Sequence, residues 1–352
     1  MFKKACKEKK SDKNFLQEIY QRLLERDIDP EGKKFYLEML KKGKSRVSVV
    51  LDIIQSEEFK NKITRENIHH LLLPPVRNEK PEQYKQVLDI YEKENIWVFK
   101  VKDSSDFDWL EKKIIENGYY EKPGVWNLQI GDDQKLLSEL ISQFNPGLVL
   151  DLGCANGTVM KCLYDKDIKS EGIEISRLYL SKAFPEIKEN IYFGDILEVD
   201  LGKKYDFILG LDIFEHLNPN KLSTYIKKIF RLLSEEGYLF CNIPAFGEDD
   251  VFGEIFPVYI KDWEQDIKEN NLFQTIHTDD YGYPKNGHLI GADSTWWVDQ
   301  FEDKGFHRQK EIEKSLHNKY DKDMDQISIA RKSYYVFSKN AEKKKIPIYG
   351  IS

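Results

Sequence analysis

The 352-residue sequence has few features of a membrane-spanning or disulfide-bonded protein. No apolar run approaches the roughly 20 residues that a membrane-spanning helix needs. Residues 1–7 are rich in lysine and lack the apolar core of a signal peptide. The four cysteines form no Cys-x-x-Cys pair, so neither a disulfide framework nor a paired-cysteine zinc site is indicated. We therefore expect a cytoplasmic protein with two domains, which is a reasonable number for this length.

Beyond the first 80 residues, basic side chains are outnumbered by acidic ones. Residues 1–80 carry 19 Lys and Arg against 13 Asp and Glu, whereas the remaining residues carry 35 against 48. Affinity for nucleic acids comes chiefly from basic side chains that neutralise phosphates. An acidic domain is a poor platform for polyanions, so nucleic acid is not an expected partner.

The most informative segment is residues 149–157, an apolar run that ends in an acid and enters a turn of small residues. Such a turn lets backbone N–H groups and a following helix N-terminus approach a ligand. The order is Asp-x-Gly-x-Ala-x-Gly, with Asp151 two residues before Gly153. That carboxylate would repel a pyrophosphate but suits the cationic amino-acid group of S-adenosylmethionine (SAM).

Three further apolar runs lead into acidic residues. The first ends at Glu174, placed to accept from a ribose diol, and the second at Asp195, placed to accept from an adenine amine. The third reaches Asp212 and continues into the segment at 213–217. Alternating strands and helices of this length predict a parallel doubly wound sheet, in which ligands lie beyond the carboxyl ends of the strands. These strand ends therefore converge on one predicted pocket.

With these motifs in register, the sequence resembles the class I SAM-dependent methyltransferases, especially the branch with Asp/Glu-x-x-Glu-His-Leu after the fourth strand. The resemblance implies an α/β, Rossmann-like, doubly wound and mostly parallel seven-stranded sheet, with SAM as the cofactor. The cofactor-binding residues that we expect on this basis are Asp151, Gly153, Cys154, Ala155, Gly157, Glu174, Ile175, Asp195, Ile196, Leu211 and Asp212.

Residues 1–72 are predicted to form a small all-α adaptor domain. Apolar residues recur there at helical spacing, and Asp29 and Pro30 predict a helix start. The segment Tyr-x-x-Leu-Leu-x-Arg-Asp-x-Asp-Pro-x-Gly at 20–32 resembles a small helical domain of unknown function found in bacterial surface-layer proteins and beside surface-glycan transferases. We expect this domain to be non-catalytic and to offer a surface for a protein partner.

The remaining boundaries follow from changes in composition. Residues 73–96 are predicted to be a linker and a connecting helix, 97–340 the methyltransferase domain, and 341–352 a loose tail. The lead-in at 97–127 is expected to lie over the cofactor mouth or to serve as ordinary lid packing.

Residues 245–287 are predicted to be an insertion at the acceptor site, because they follow strand five and are rich in aromatics. Aromatic faces suit the C–H faces of sugar rings. The alternative is a helical excursion with its own small core.

Methyl transfer to an alcohol requires alignment of the acceptor oxygen, the methyl group and the sulfur. Because the pKa of an alcohol hydroxyl is high, the reaction also calls for a base or for a metal that lowers this pKa. One interpretation makes His288 or His216 the general base, with a carboxylate such as Glu215 orienting it. Metal-binding relatives suggest a second, in which Asp212, Glu215, His216 and His288 hold Mg²⁺ or Zn²⁺. Here Asp212 is one methylene shorter than the Glu of those relatives. Alignment without base or metal is the third interpretation.

We predict an O-methyltransferase that acts on a sugar hydroxyl of a bacterial surface glycan or its precursor. The Gly-His…Trp…Phe…Gly-Phe segment at 287–306 resembles that of methyltransferases encoded with bacterial surface polysaccharides. Two alternatives are a small-molecule O-methyltransferase of the quinone or secondary-metabolite kind, and a SAM-binding scaffold without turnover.

Overall fold

The computed structural model of the chain describes residues 11–24, 26–56, 58, 73–121, 128–269 and 273–341. The chain divides into two units, residues 1–72 with 122–124 and residues 73–121 with 125–352. Apart from residue 341, the tail predicted at 341–352 lies outside the described residues. No described helix is both long and apolar enough to cross a membrane.

The described part of the first unit contains three helices, α1 (Asp12–Leu24), α2 (Pro30–Lys41) and α3 (Arg46–Gln55). Two of them start where side-chain caps predict. The Gly32 N–H donates to Asp29 Oδ1 at 2.7 Å and the Ser48 N–H to Ser45 Oγ at 3.1 Å. Capping of this kind satisfies backbone donors that the first helical turn leaves unpaired. The helices enclose a small core of Leu16, Tyr20, Leu24, Ile28, Val49 and Ile53.

The second unit is built on a seven-stranded sheet with the order β11-β12-β7-β6-β3-β4-β5. Its five parallel strands are β3 (Val149–Leu152), β4 (Ser170–Glu174), β5 (Ile191–Phe193), β6 (Tyr205–Leu211) and β7 (Leu233–Asn242). Two antiparallel strands complete one side, β12 (Tyr334–Ser338) beside β7 and β11 (His307–Arg308) beside β12. The predicted α/β, Rossmann-like, mostly parallel sheet is therefore confirmed.

Helices cover both faces of this sheet, which explains why central strands such as β3 are buried along their whole length. The helices of the second unit are α4 (Ser105–Glu116), α5 (Asp132–Ser142), α6 (Thr158–Tyr164), α7 (Arg177–Ser181), α8 (Leu222–Leu232), α9 (Lys261–Lys268), α10 (Ser294–Glu302) and α11 (Lys310–Ile327). Alternate strand residues face the two layers, because successive side chains point to opposite faces. Thus Phe207 packs with the α5, α6 and α11 side, and Ile208 with the α4, α8 and α10 side.

The connecting helix predicted within residues 73–96 is wrong. This segment holds two short 3-10 turns and then β1 (Tyr84–Leu88), which pairs antiparallel with β2 (Asn95–Lys100). On its other edge β2 pairs with β9 (Thr275–Thr278), which gives a second sheet with the order β1-β2-β9. The sequence of β1, Tyr-Lys-Gln-Val-Leu, does not alternate apolar and polar residues, and only Tyr84 in it is fully buried. Pairing with β2 is therefore needed to make this segment a strand.

The insertion at 245–287 contains β8 (Ala245–Phe246), α9 and β9 among its described residues, and β8 pairs in parallel with β10 (Ala292–Asp293). Its aromatic side chains cover the second sheet: Phe246 and Trp263 pack with Ile96 and Val98 of β2. The ring centroids of Phe246 and Trp263 are 4.8 Å apart. Other aromatics of the insertion, including Tyr283, join the main core. The insertion therefore has its own small core, as the alternative interpretation of this segment expected.

Candidate active site

A cavity of about 290 Å³ lies beyond the carboxyl ends of β3, β4, β5 and β6. Of the residues expected to bind the cofactor, those that line it are Asp151, Gly153, Cys154, Ala155, Glu174, Ile175, Asp195, Ile196, Leu211 and Asp212. The remaining one, Gly157, lies at the start of α6. Among the described residues of the insertion, no aromatic side chain lines this cavity, so the expected aromatic wall for the acceptor is not present here.

The turn after β3 depends on glycine at two positions. Gly153 and Gly157 have φ angles of 68° and 78°, where side chains are disfavoured. A Cβ at Gly157 would also lie 2.4 Å from Cδ1 of Ile187. Ala155 adopts a left-handed φ of 50° as well, and its N–H donates to Glu174 Oε2 at 2.8 Å. A carboxylate from the next strand thus stabilises a conformation that alanine rarely adopts.

The acids at the ends of β3 and β4 are buried. Glu174 accepts a second backbone hydrogen bond, from Ser176 N at 2.7 Å. Burial first, and then the charge of Glu174, raises the pKa of Asp151 to about 7. Burial also raises the pKa of Glu174, although its backbone donors oppose that shift. Because burial disfavours ionised carboxylates, a cationic ligand group beside them would be strongly favoured.

Asp195 lies at the end of the cavity near β5. Its Oδ1 accepts from Leu197 N at 2.6 Å, and its Oδ2 accepts from the Tyr225 hydroxyl at 2.7 Å. Each carboxylate oxygen has two lone pairs, so an adenine amine can still donate to this group. The sequence analysis missed Tyr225, since a tyrosine on the buried face of α8 looks like any core aromatic.

Glu215, His216 and His288 form a cluster beside the cavity. Glu215 and His216 are on a short 3-10 turn after β6. Backbone hydrogen bonds connect the segment that follows His288 to this turn. Leu289 N and Ile290 N both donate to the Glu215 carbonyl, at 2.8 and 3.0 Å. One ligand atom from each of the three side chains lies within 4.8 Å of the others. Of these residues, only His216 lines the cavity described above.

The electrostatics of this cluster follow from burial. Both carboxylate oxygens of Glu215 are buried and, within the described part of the chain, have no hydrogen-bond partner. Its Oε1 lies 3.9 Å from His288 Nε2 and 4.0 Å from His216 Nε2. Burial, followed by the charge of Asp212, raises the pKa of Glu215 well above its ordinary value. Burial lowers the pKa of both histidines, that of His288 to about 4. Neutral histidines are therefore expected at neutral pH.

Asp212 does not belong to this cluster, so the four-residue metal site is wrong in this respect. Its Oδ2 accepts from Arg331 Nη1 at 2.6 Å, and its backbone has a left-handed φ of 49°. The group that could hold a metal among the described residues is Glu215, His216 and His288. Arg331 comes from a turn just before β12, and no motif in the sequence announces it.

The lead-in segment reaches the cavity through Tyr120. This residue lines the cavity, and its ring centroid is 6.0 Å from that of His216. The adjacent Glu121 accepts from the N–H groups of Arg177 and Leu178, each at 2.8 Å, which attaches the lead-in to α7. Residues 122–127 of this lead-in lie outside the described part of the chain.

A doubly wound sheet with acidic side chains around a cavity at its carboxyl edge defines a Rossmann-like domain for a nucleoside cofactor with a cationic group. A family described as a methyltransferase domain matches residues 130–307, about half of the chain. The chain belongs to this family; its domain is a SAM-dependent methyltransferase, and SAM is its cofactor. Residues 1–63 match a domain of unknown function, DUF4214.

Similar proteins are distant. An uncharacterized methyltransferase of Staphylococcus carnosus is 23% identical over 43% of this chain and 70% of its own length. A malonyl-[acyl-carrier protein] O-methyltransferase of Priestia megaterium is 24% identical, and the match spans only 57% of that protein. A ubiquinone biosynthesis O-methyltransferase of Pelagibacter ubique is also 24% identical, with 35% of this chain and 57% of that protein covered. Among solved structures, the CcbJ methyltransferase of Streptomyces caelestis has 16% identity and a TM-score of 0.39, and the match covers 64% of this chain and 95% of that one.

Proposed function

We propose that this protein is an O-methyltransferase that acts in the cytoplasm on a sugar hydroxyl of a bacterial surface glycan or its precursor. The observation that carries O-methylation is the Glu215–His216–His288 cluster beside the cofactor cavity. A hydroxyl must lose its proton during methylation, and a neutral histidine is a suitable acceptor for it. The glycan acceptor rests on the resemblance of the N-terminal helical segment to domains found beside surface-glycan transferases.

In the proposed mechanism, SAM supplies a methyl group on a cationic sulfur. Asp151, Glu174 and Asp195, which line the cavity, would hold its amino-acid, ribose and adenine parts, and this binding would align the cofactor with the acceptor. His288, whose side chain is 34% exposed, would accept the proton of the acceptor hydroxyl at Nε2. Glu215 Oε1 lies 3.9 Å from the same nitrogen, which is beyond hydrogen-bonding distance. His216 lines the cavity, and its ring centroid is 4.8 Å from that of His288.

The same three side chains fit a divalent metal ion. An unpartnered buried carboxylate and two imidazoles form a donor set that suits Zn²⁺ better than Mg²⁺, which prefers oxygen. Glu215, His216 and His288 would hold such an ion, which would lower the pKa of a bound hydroxyl. With a histidine base, activity should stay within about twofold after treatment with excess chelator. If the chelator abolished activity and Zn²⁺ restored it, the result would favour a metal ion over a histidine base.

A small-molecule O-methyltransferase is the second candidate. It is favoured by the names of two relatives, a malonyl-[acyl-carrier protein] O-methyltransferase and a ubiquinone biosynthesis O-methyltransferase. Phenolic or carboxylic acceptors would then be methylated in place of sugars. A SAM-binding scaffold is the third, and it predicts cofactor binding without turnover.

The test is transfer of labelled methyl from SAM into a lysate of the source organism, separated into glycan, nucleotide-sugar, small-molecule, protein and nucleic-acid pools. We expect label in the glycan or nucleotide-sugar pool. Label only in a small aromatic product would favour the second candidate, and binding without label would favour the scaffold. The control is His307→Ala, which removes an exposed histidine that belongs neither to the cavity lining nor to the cluster and should transfer label normally.

A further inference from the structure

The charges that line the cavity are nearly all negative. Acidic side chains there are Glu111, Asp133, Asp151, Glu174, Asp195 and Asp212, and Arg331 is the one lysine or arginine among the lining residues that the structure describes. SAM carries a carboxylate as well as its cationic ammonium and sulfur. An anion surrounded by acids is strongly disfavoured unless a cation is beside it. We propose that Arg331 binds the α-carboxylate of SAM, an inference that rests on the assignment of this cavity to the cofactor.

The sheet order supports this position for the carboxylate. Asp195 follows β5 and Glu174 follows β4, so the adenine and ribose are expected at that side of the cavity. The amino-acid part must then extend across β3 toward β6, because β6 is the next strand in the sheet. Three strand spacings of about 4.8 Å separate β5 from β6, which is about 14 Å and comparable with an extended adenosyl amino acid.

Arg331 lies at the β6 end of the cavity. Its Nη1 donates to Asp212 Oδ2, just after β6, and to Asn242 Oδ1 at the end of β7, each at 2.6 Å. Its Nη2 reaches Asp133 Oδ2, near the start of α5, only at 3.5 Å. Asp133 also lines the cavity, so a cationic and an anionic side chain are available side by side for a zwitterionic amino-acid group.

Arg331 has donors to spare. A guanidinium offers five N–H groups, and the short contacts of Arg331 use only its Nη1. Its Nε is buried and, within the described residues, has no hydrogen-bond partner. A buried donor without an acceptor is unfavourable. The Nε and Nη2 edge of a guanidinium matches the two oxygens of a carboxylate, so a bound carboxylate would satisfy the donors that Arg331 leaves weakly used.

The test uses decarboxylated SAM, which keeps both cationic groups and lacks only the carboxylate. Dissociation constants for SAM and decarboxylated SAM would be measured by calorimetry for the unmodified protein, Arg331→Met and Arg331→Lys. We expect the unmodified protein to prefer SAM by at least about tenfold, and Arg331→Met to lose that preference by weakening SAM binding alone. Arg331→Lys should lie between them, because it keeps the charge without the fork.

The matched control is Lys332→Met. Lys332 is the adjacent cation, it pairs with Asp325 at 3.0 Å, and it does not line the cavity. Its removal should leave the preference for SAM unchanged. Equal weakening of both ligands in Arg331→Met would show a structural role for Arg331 and overturn the proposal.

Two further outcomes bear on the proposal without depending on how well Arg331→Met folds. An unmodified protein that binds both ligands equally would overturn the carboxylate contact. An unmodified protein that binds neither would overturn the assignment of the cavity to SAM itself.

Discussion

The cofactor half and the acceptor half of the site are built in different ways. In the cofactor half, Glu174 and Asp195 accept hydrogen bonds from the backbone two residues further along, at Ser176 and Leu197. In the acceptor half, the Glu215 carboxylate has no hydrogen-bond partner among the described residues. His288 reaches Glu215 only because the main chain of the next two residues donates to the Glu215 carbonyl.

This difference separates binding from catalysis. Short-range backbone contacts orient the cofactor side chains before any ligand arrives, so these residues should determine SAM affinity. The acceptor cluster is assembled by contacts between distant segments, and its carboxylate, that of Glu215, has no hydrogen-bond partner among the described residues. We therefore expect substitutions in the cluster to change turnover while SAM binding stays nearly constant.

The largest expected effect separates the two halves directly. His288→Ala should reduce kcat by about 10²–10⁴-fold, because it removes the proposed proton acceptor. The SAM dissociation constant should change by less than about twofold, since His288 does not line the cofactor cavity. The comparison is made on the acceptor found by labelling, with His307→Ala as the control. Unchanged kcat in His288→Ala would exclude it as the base.

The second effect concerns the turn of the cofactor half. Gly157→Ala and Gly202→Ala both place a side chain at positive φ, 78° and 60°, which costs about 1–2 kcal/mol. Only at Gly157 would the new Cβ meet a neighbour, Ile187 Cδ1 at 2.4 Å, whereas nothing lies within 4 Å at Gly202. Overpacking should add about 1–3 kcal/mol to the loss of stability at Gly157. Equal losses in denaturant unfolding would contradict this packing.

The third prediction tests the acids at the ends of β3 and β4. Asp151→Ala or Glu174→Ala should weaken SAM binding by at least about tenfold, since each removes a contact of a charged group worth about 1.5–3 kcal/mol. Glu189→Ala, an exposed acid on a neighbouring turn, is the control and should bind normally. Calorimetry measures all three. Near-native binding by both cavity variants would argue against the pocket assignment.

The smallest effect is the pH dependence of SAM binding. The pKa of Asp151 is raised to about 7 by burial and by Glu174, and the ionised form is the one that pairs with an ammonium. Affinity should therefore rise with pH, by roughly tenfold between about pH 6 and pH 7.5, because binding requires the fraction that is ionised. Asp151→Asn should remove this dependence. A flat profile in the unmodified protein would mean that Asp151 does not pair with the ammonium.

The same raised pKa affects the stability of the cofactor-free protein with the opposite sign. A protonated Asp151 is compatible with its buried position, so its contribution to stability is complete below the ordinary pKa of an aspartate. That contribution is lost as the pH rises through about 7. SAM should stabilise the protein most at the higher pH.

Much of the cofactor half was predictable from local patterns. Four apolar runs end in Asp151, Glu174, Asp195 and Asp212. They predicted strands with a shared edge, because short apolar runs that alternate with helical segments are typical of a parallel sheet. The sheet order then brings these ends to one cavity. Caps such as Asp29 are equally local, since one side chain satisfies a backbone donor three residues away.

The second sheet was not predictable in this way. Strand β1 has one fully buried residue, and its segment is extended because β2 supplies its hydrogen bonds, while β9 pairs with the other edge of β2. Because the sequence does not reveal that sheet, it shows no packing partner for the aromatics of the insertion, and one interpretation placed them against an acceptor. In the fold, Phe246 and Trp263 cover the second sheet.

By itself, the sequence determined the fold class, the cofactor and the residues around it, because these follow from periodicity, glycine positions and carboxylates at strand ends. The tertiary structure alone decided which charges meet. It paired Asp212 with Arg331, away from the cluster of Glu215, His216 and His288, and brought His288 to Glu215. Such pairs join segments far apart in the chain. Their energies depend on burial and on neighbouring charges, which no local pattern records.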